Sequence, residues 1–253
     1  MKVGAIIQAR VSSTRLPGKV LMDLLGKTVL ERVVERVKAA KLVKDVVVAT
    51  TLNKEDDGIE SLCEKVPVKY FRGSENDVLD RFYQAAKYYQ IENIVRITAD
   101  CPLMDPRIID KVTKLHLEGQ ADYTANIIEE TYPDGEDVEV FTFAALTKAW
   151  ENASLQSERE HVTSYIRNNA GLFKIVNLRH ESDLSDYRWT LDEKTDYEFI
   201  KFIYSSLYKG NNDFGLNEVV EFLKSHPEAS KINQNIGRNE GYLKSLRNDR
   251  KVN

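Results

Sequence analysis

The chain has 253 residues, 36 Lys and Arg against 40 Asp and Glu, and a formal net charge of −4, a balance that argues against a general nucleic-acid binder, which carries a basic excess. With 42% of its residues hydrophobic it is long enough for a sizeable core without disulfides or a structural metal, so Cys63 and Cys101 read as thiols of a reducing, cytoplasmic compartment. The apolar run after Met1 is too short for a signal sequence, and nothing approaches the roughly 20 apolar residues that cross a bilayer, so neither secretion nor a membrane span is expected.

Over the first 125 residues short β-branched runs alternate with longer segments of helical period, the pattern of βαβ units and a mostly parallel sheet. Strands are expected at residues 3–9, 45–51, 68–71, 93–98 and 122–126, and helices at 28–40, 55–65, 77–89 and 106–118. Leu30, Val33, Val34 and Val37 mark the helical period. Pro106 behind Asp105 is a first helical position behind a cap. From about Thr131 the alternation ends. Asp137-Val138-Glu139-Val140-Phe141 alternates acidic and apolar residues, as in a strand that leaves the main sheet with one polar face. Helices at 143–152 and 157–169, extended segments at 173–178 and 187–191, and helices at 195–207 and 216–225 follow. One α/β domain over 1–232 is expected, ahead of a polar tail, 233–253, that lacks a strong period and is loosely held or draped over a partner.

Directly after the first strand comes Gln8-Ala9-Arg10-Val11-Ser12-Ser13-Thr14-Arg15-Leu16-Pro17-Gly18-Lys19, and open α/β sheets bind ligands at the carboxyl ends of their strands. Three cations, three hydroxyls and a Pro-Gly turn can surround a polyphosphate. The same charges also suit a solvated surface loop. The spacing matches neither the Walker phosphate loop nor the dinucleotide fingerprint. Asp100 ends the fourth strand on the same rim, where a carboxylate suits Mg²⁺ or simply caps a turn. Thr98 shares its strand face. Asp77 and Arg81 read equally as a helix cap and an i,i+4 ion pair. Cys63 falls on the apolar face of its helix with Ile59 and Leu62, and two isolated cysteines make no zinc site.

Ala5-Ile6-Ile7 and the loop through Lys19 resemble the signature of the cytidylyltransferases that activate sugar acids, and most of all the SpsF-type family of spore-coat and surface polysaccharide synthesis. The resemblance continues in order through Phe71-Arg72-Gly73-Ser74 with Asp77-Val78-Leu79-Asp80-Arg81, Val95 to Leu103, Pro133 to Phe141, Ser157-Glu158-Arg159-Glu160-His161-Val162-Thr163, Arg188-Trp189-Thr190-Leu191-Asp192 and Arg238 to Leu246. It implies a nucleotide-diphospho-sugar transferase-like, three-layer α/β/α sheet with an inserted strand-helix segment. A nucleotide half would span about 1–126 and an acceptor or dimer half about 127–232.

The resemblance also implies CTP, Mg²⁺ as cofactor, release of pyrophosphate, a sugar-acid-like acceptor and a homodimer built on roughly 131–178. Arg10, Arg15 and Lys19 would then serve catalysis at the triphosphate, and Gln8, Ala9, Arg10, Ser13, Ser74, Asp77, Arg81 and Thr98 would surround the nucleotide. Asp100 would be the principal metal ligand and Asp192 the second, although Asp192 reads equally as the cap of the helix with Tyr197, Ile200 and Ile203. Asp137 and Glu139, on one face of their strand, are acceptor-side candidates with His161 and Arg188. A lone histidine is more often structural, and Glu158-Arg159-Glu160 reads as a solvated turn or a subunit contact. Two other functions fit the same sheet: glycosyl transfer from a sugar nucleotide, and nucleotide-dependent regulation without turnover.

Overall fold

Residues 2–210, 214–238 and 240–252 are described by a computed structural model. Its first half runs β1 (Val3–Gln8), α1 (Val29–Ala39), β2 (Asp45–Thr51), α2 (Asp57–Lys65), β3 (Lys69–Gly73), α3 (Val78–Tyr88), β4 (Asn93–Thr98), α4 (Pro106–Gly119) and β5 (Tyr123–Ala125). The remainder is β6 (Glu139–Thr142), α5 (Phe143–Asn152), α6 (Gln156–Glu160), α7 (Ser164–Asn168), β7 (Ile175–Asn177), α8 (Lys194–Leu207), α9 (Leu216–Ser225), α10 (Pro227–Ser230) and α11 (Glu240–Arg247).

The strands form one sheet of seven in the order β3-β2-β1-β4-β6-β5-β7. Neighbours run parallel except where β6 meets β4 and β5. Val3, Ala5 and Ile7 of β1 enter one core with α1, α4, α8 and α9, while Ile6 enters the other with α3 and α5. Period-two alternation thus buries both faces of the sheet, which is why β1 reads as a continuous apolar run. The fold is α/β, mixed and mostly parallel. Local chemistry sets the helix starts: Thr28 and Glu31 exchange reciprocal capping bonds at α1, and Asp105 accepts from the Arg107 amide behind Pro106 at α4.

Four expectations change. The strand expected to leave the sheet is β6, which sits inside it with Arg96 of β4 opposite Glu139. Its polar face is tolerated because Glu139 is ion-paired to Arg96 and accepts from Tyr123 and Thr163. The helix expected over 157–169 breaks into α6 and α7 at Val162, a fully buried residue at φ +55°. There the Thr163 amide donates to His161 O (2.5 Å), closing a γ-turn of the strained, positive-φ kind. Residues 187–191 form no strand, only one bridge between Asp134 and Arg188. The polar tail is held against the body: Asn233 is buried and bonded to Arg188 and Asp196, and Lys251 bridges to Leu155. Asn239 and Asn253 of that tail, like Met1, lie outside the described residues.

Candidate active site

The loop after β1 is closed by backbone bonds rather than by its charges. Ala9 continues the pairing onto Ala49, Val11 donates to buried Asp56 (2.7 Å), and Gly18 donates back to Val11 (3.0 Å). Gly18 itself adopts φ +74°, a left-handed conformation that glycine takes without strain, and the single turn from Lys19 to Leu21 starts there. Lys19 is consequently turned inward and is 8% exposed.

Its ammonium donates to Asp100 Oδ2 (2.5 Å), Asp192 Oδ1 (2.8 Å) and the Leu191 carbonyl (2.8 Å). Burial opposes the charge, but the two carboxylates outweigh it and hold the Lys19 pKa above its usual value. Burial likewise opposes ionisation of Asp100, and Lys19 reverses that effect, holding Asp100 below the usual carboxylate range. Asp192 also meets Arg15 (2.8 Å) and Arg188 (3.2 Å). It does not cap α8. Glu193 holds the cap position, and Asp196 in the first turn reaches back to accept from the amides of Asp192 and Glu193 (both 2.9 Å).

The segment carrying Asp192 reaches the rim through Leu191 N, which donates to Asp100 O (2.8 Å), and through the exchange between Asp134 and residues 187–189. Gly135 makes that exchange possible. It has φ +108°, and a β-carbon there would lie 2.6 Å from the Trp189 carbonyl carbon.

A cavity of about 790 Å³ opens over these groups. Of the residues singled out from the sequence, Gln8, Ala9, Arg10, Ser13, Arg15, Lys19, Arg81, Thr98, Asp100, His161 and Asp192 line it. Ser74, Asp77, Asp137, Glu139 and Arg188 do not. Ser74 and Asp77 shape the start of α3, Ser74 Oγ accepting from the Asp77 amide (3.0 Å) and Asp77 Oδ1 from the Asp80 amide (2.8 Å). The ion pair expected between Asp77 and Arg81 is replaced: Asp77 faces Arg159 (3.5 Å), while Arg81 donates to Ser74 O (2.5 Å). Burial, followed by the neighbouring charge of Arg10, lowers the Arg81 pKa to about 10, and its buried Nε has no hydrogen-bond partner.

The acceptor-side candidates separate in space. Glu139 is 1% exposed beneath the site, and Asp137 is tied to Arg238 (2.8 Å). Arg188 grips Asp196 with two nitrogens (3.0 and 3.1 Å) and reaches Asp134 (2.9 Å) and Asp192, so it positions the carboxylate that faces Lys19. His161 alone of the four reaches the cavity. Burial lowers its pKa to about 4, so the ring is neutral at physiological pH. Gln156, Glu160, Ser245, Asn248 and Arg250 also line the cavity and were not singled out from sequence. Glu160 and Ser245 were signalled only by their place in blocks shared with a family, and Gln156, Asn248 and Arg250 by nothing, because their partners in the cavity are far away along the chain.

Two carboxylates and a carbonyl already converge on one cation, and hard oxygen donors in that number suit Mg²⁺, which takes one or two protein carboxylates and completes its shell with water and phosphate. Among the described residues no group of three or more His, Cys, Asp or Glu forms a fuller cage. Cys101 is buried beside Thr98 (3.2 Å), and burial pushes its thiol well above the usual value, which removes it as a nucleophile.

A family profile described as Cytidylyltransferase matches residues 4–221. The spore coat polysaccharide biosynthesis protein SpsF of Bacillus subtilis is 35% identical over 232 residues, 89% of this chain and 95% of its own. A cytidylyltransferase structure from Leptospira borgpetersenii matches with a TM-score of 0.87 and 39% identity, covering 94% of this chain and 98% of that one. The structure of CMP:2-keto-3-deoxy-manno-octonic acid synthetase complexed with CTP has a TM-score of 0.63 over 81% of this chain and 99% of its own; at 17% identity that likeness is one of fold.

Proposed function

Because the chain belongs to the cytidylyltransferase family, we propose that it transfers CMP from CTP to a sugar acid or related acceptor, with release of pyrophosphate, for surface polysaccharide synthesis in the cytoplasm. The observation that supports this most is the Lys19 ammonium held between Asp100 and Asp192 beneath a cavity edged by Arg10, Arg15 and the loop hydroxyls. Carboxylates for a divalent cation and guanidinium groups for a triphosphate stand side by side, the pairing that nucleotidyl transfer needs. Among the described residues no helix is long and apolar enough to cross a membrane.

In the reaction an acceptor oxygen bonds to the α-phosphorus of CTP as the bond to pyrophosphate breaks. The chain's task is alignment and charge neutralisation, with no covalent intermediate. Arg10, Arg15 and Lys19 serve the triphosphate and the departing pyrophosphate, while Thr98, Arg81 and the backbone near Gln8, Ala9 and Ser13 surround the nucleoside. Asp100 and Asp192 would hold Mg²⁺, which when bound supplies Lewis-acid polarisation of phosphate oxygens. Arg188 keeps Asp192 turned towards the site. A homodimer built on 131–178 belongs to the same reading, and sedimentation velocity tests it.

The deciding experiment is pyrophosphate release from CTP with Mg²⁺ and a panel of 2-keto-3-deoxy sugar acids, repeated with UTP, ATP and GTP. Release that requires CTP, Mg²⁺ and an acid supports the reading. Release with another nucleotide, or with none, overturns it.

A further inference from the structure

Besides the basic loop and the strand ends, the cavity has a second kind of lining. Gln156 and Glu160 come from α6, and Ser245, Asn248 and Arg250 come from residues 240–252. These residues dock on α6 through specific bonds: Asp249 accepts from the Ser157 amide (3.0 Å) and hydroxyl (2.6 Å), Gln156 N donates to Arg250 O (2.8 Å), and Val252 N donates to Ser154 O (2.9 Å). The Tyr242 ring stands edge-on to His161, their centroids 4.9 Å apart.

The chemistry of this lining differs from that of the basic loop. It offers one guanidinium, one carboxylate, two amides, a hydroxyl and a neutral imidazole, where a triphosphate calls for clustered cations. Arg250 Nε is oriented by Gln156 Oε1 (2.7 Å), and Ser245 Oγ donates to Glu160 (3.0 Å). His161 Nε2 is buried without a hydrogen-bond partner, an unspent polar group beside the same lining. A cavity of about 790 Å³ stands in the upper part of the range of about 300–1,000 Å³ for ligand pockets, with room for a second substrate next to a nucleotide.

We propose that α6 and residues 240–252 form the acceptor subsite, with Arg250 meeting the acceptor's carboxylate and Ser245, Asn248 and Glu160 reading its hydroxyls. The ligand class is a polyhydroxylated acid with a single negative group. This rests on the reading that the loop after β1 takes CTP, and it moves acceptor recognition away from Asp137 and Glu139.

The test uses the full chain with Mg²⁺ and the non-hydrolysable α,β-methylene analogue of CTP. Ligand-observed NMR measures the affinity of 3-deoxy-manno-octulosonate, N-acetylneuraminate and glucuronate as probes. At least one acid is expected to bind the wild type. Arg250→Met is expected to weaken that binding by about tenfold or more and Arg250→Lys by less, with affinity for the nucleotide analogue unchanged within about twofold. Arg250 is exposed, so both variants are expected to fold, and equal melting temperatures check this.

Acid affinity unchanged in Arg250→Met, equal loss of acid and nucleotide, or no acid bound by a wild type that binds the nucleotide analogue would each overturn this inference alone. A wild type that binds no nucleotide analogue overturns the functional reading and this inference with it.

Discussion

Between Asp100 and Asp192 the Lys19 ammonium is the counter-ion of two carboxylates at once. Removing one partner of a buried pair leaves uncompensated charge and costs about 3–5 kcal/mol. With Asp100 about a fifth exposed and Asp192 still paired to Arg15 and Arg188, a smaller cost, about 2–3 kcal/mol, is the better expectation. Lys19→Met at about pH 7 should therefore lower the melting temperature by roughly 5–10 °C. Excess Mg²⁺ should restore much of that loss without nucleotide present, because a divalent cation would replace the missing charge. Calorimetry in EDTA and in Mg²⁺ checks both expectations; no loss in EDTA would mean that the carboxylates are solvated enough to need no partner. The sign with pH follows from the raised Lys19 pKa. Its contribution is full below about 10.5, the unfolded value, and is lost as pH rises through the higher folded value.

At the scale of elements, Gly135 and His116 each tie two pieces of the fold together. Gly135 lets the strand-like segment at Asp134 approach residues 188–190, and Gly135→Ala adds a β-carbon 2.6 Å from backbone at φ +108°. Strain and collision together should cost about 3 kcal/mol or more. Because Arg188 and Asp192 sit in the displaced segment, Mg²⁺ should protect the variant less than it protects wild type in thermal melts.

His116 of α4 joins Thr124 of β5 and Asn93 of β4 (both 3.1 Å), and burial lowers its pKa to about 4. Its folded pKa lies below the unfolded value of 6.5, so its contribution to stability is full above 6.5 and is lost as pH falls towards about 4. Urea denaturation of wild type and His116→Gln should show a gap that is constant above about pH 7 and narrows below 6.5 by up to about 1.4 kcal/mol per pH unit. A gap independent of pH would show that His116 takes up its proton as readily in the folded as in the unfolded chain.

For the whole molecule, binding at a hundredfold excess over Kd adds about 2.7 kcal/mol, a rise of roughly 5–10 °C for a chain of this size. CTP with Mg²⁺ should produce it, and UTP, ATP and GTP should not; a shift with another base would move the nucleoside assignment away from CTP. The sheet that carries the site was legible at its parallel end, where the β-branched runs in β1, β2 and β4 are buried on both faces of the sheet and therefore largely apolar. It was not legible at β6. There a central strand carries Glu139, and only Arg96, Tyr123 and Thr163, drawn from three other segments, make its burial tolerable.

By itself the sequence determined the alternation of strands and helices, the helix cap at Asp105, and the rim on which the basic loop and Asp100 lie, because period, capping and the position of a strand's end are local properties of the chain. Only the tertiary structure decided which charges meet. It paired Lys19 with Asp100 and Asp192, 81 and 173 residues away, put Glu193 rather than Asp192 at the cap of α8, and withdrew Asp137, Glu139 and Arg188 into ion pairs. It also brought residues 240–252 onto α6 to complete the cavity. The physical reason is that a charged side chain is specified by the partner that compensates it, and that partner is set by packing rather than by proximity along the chain.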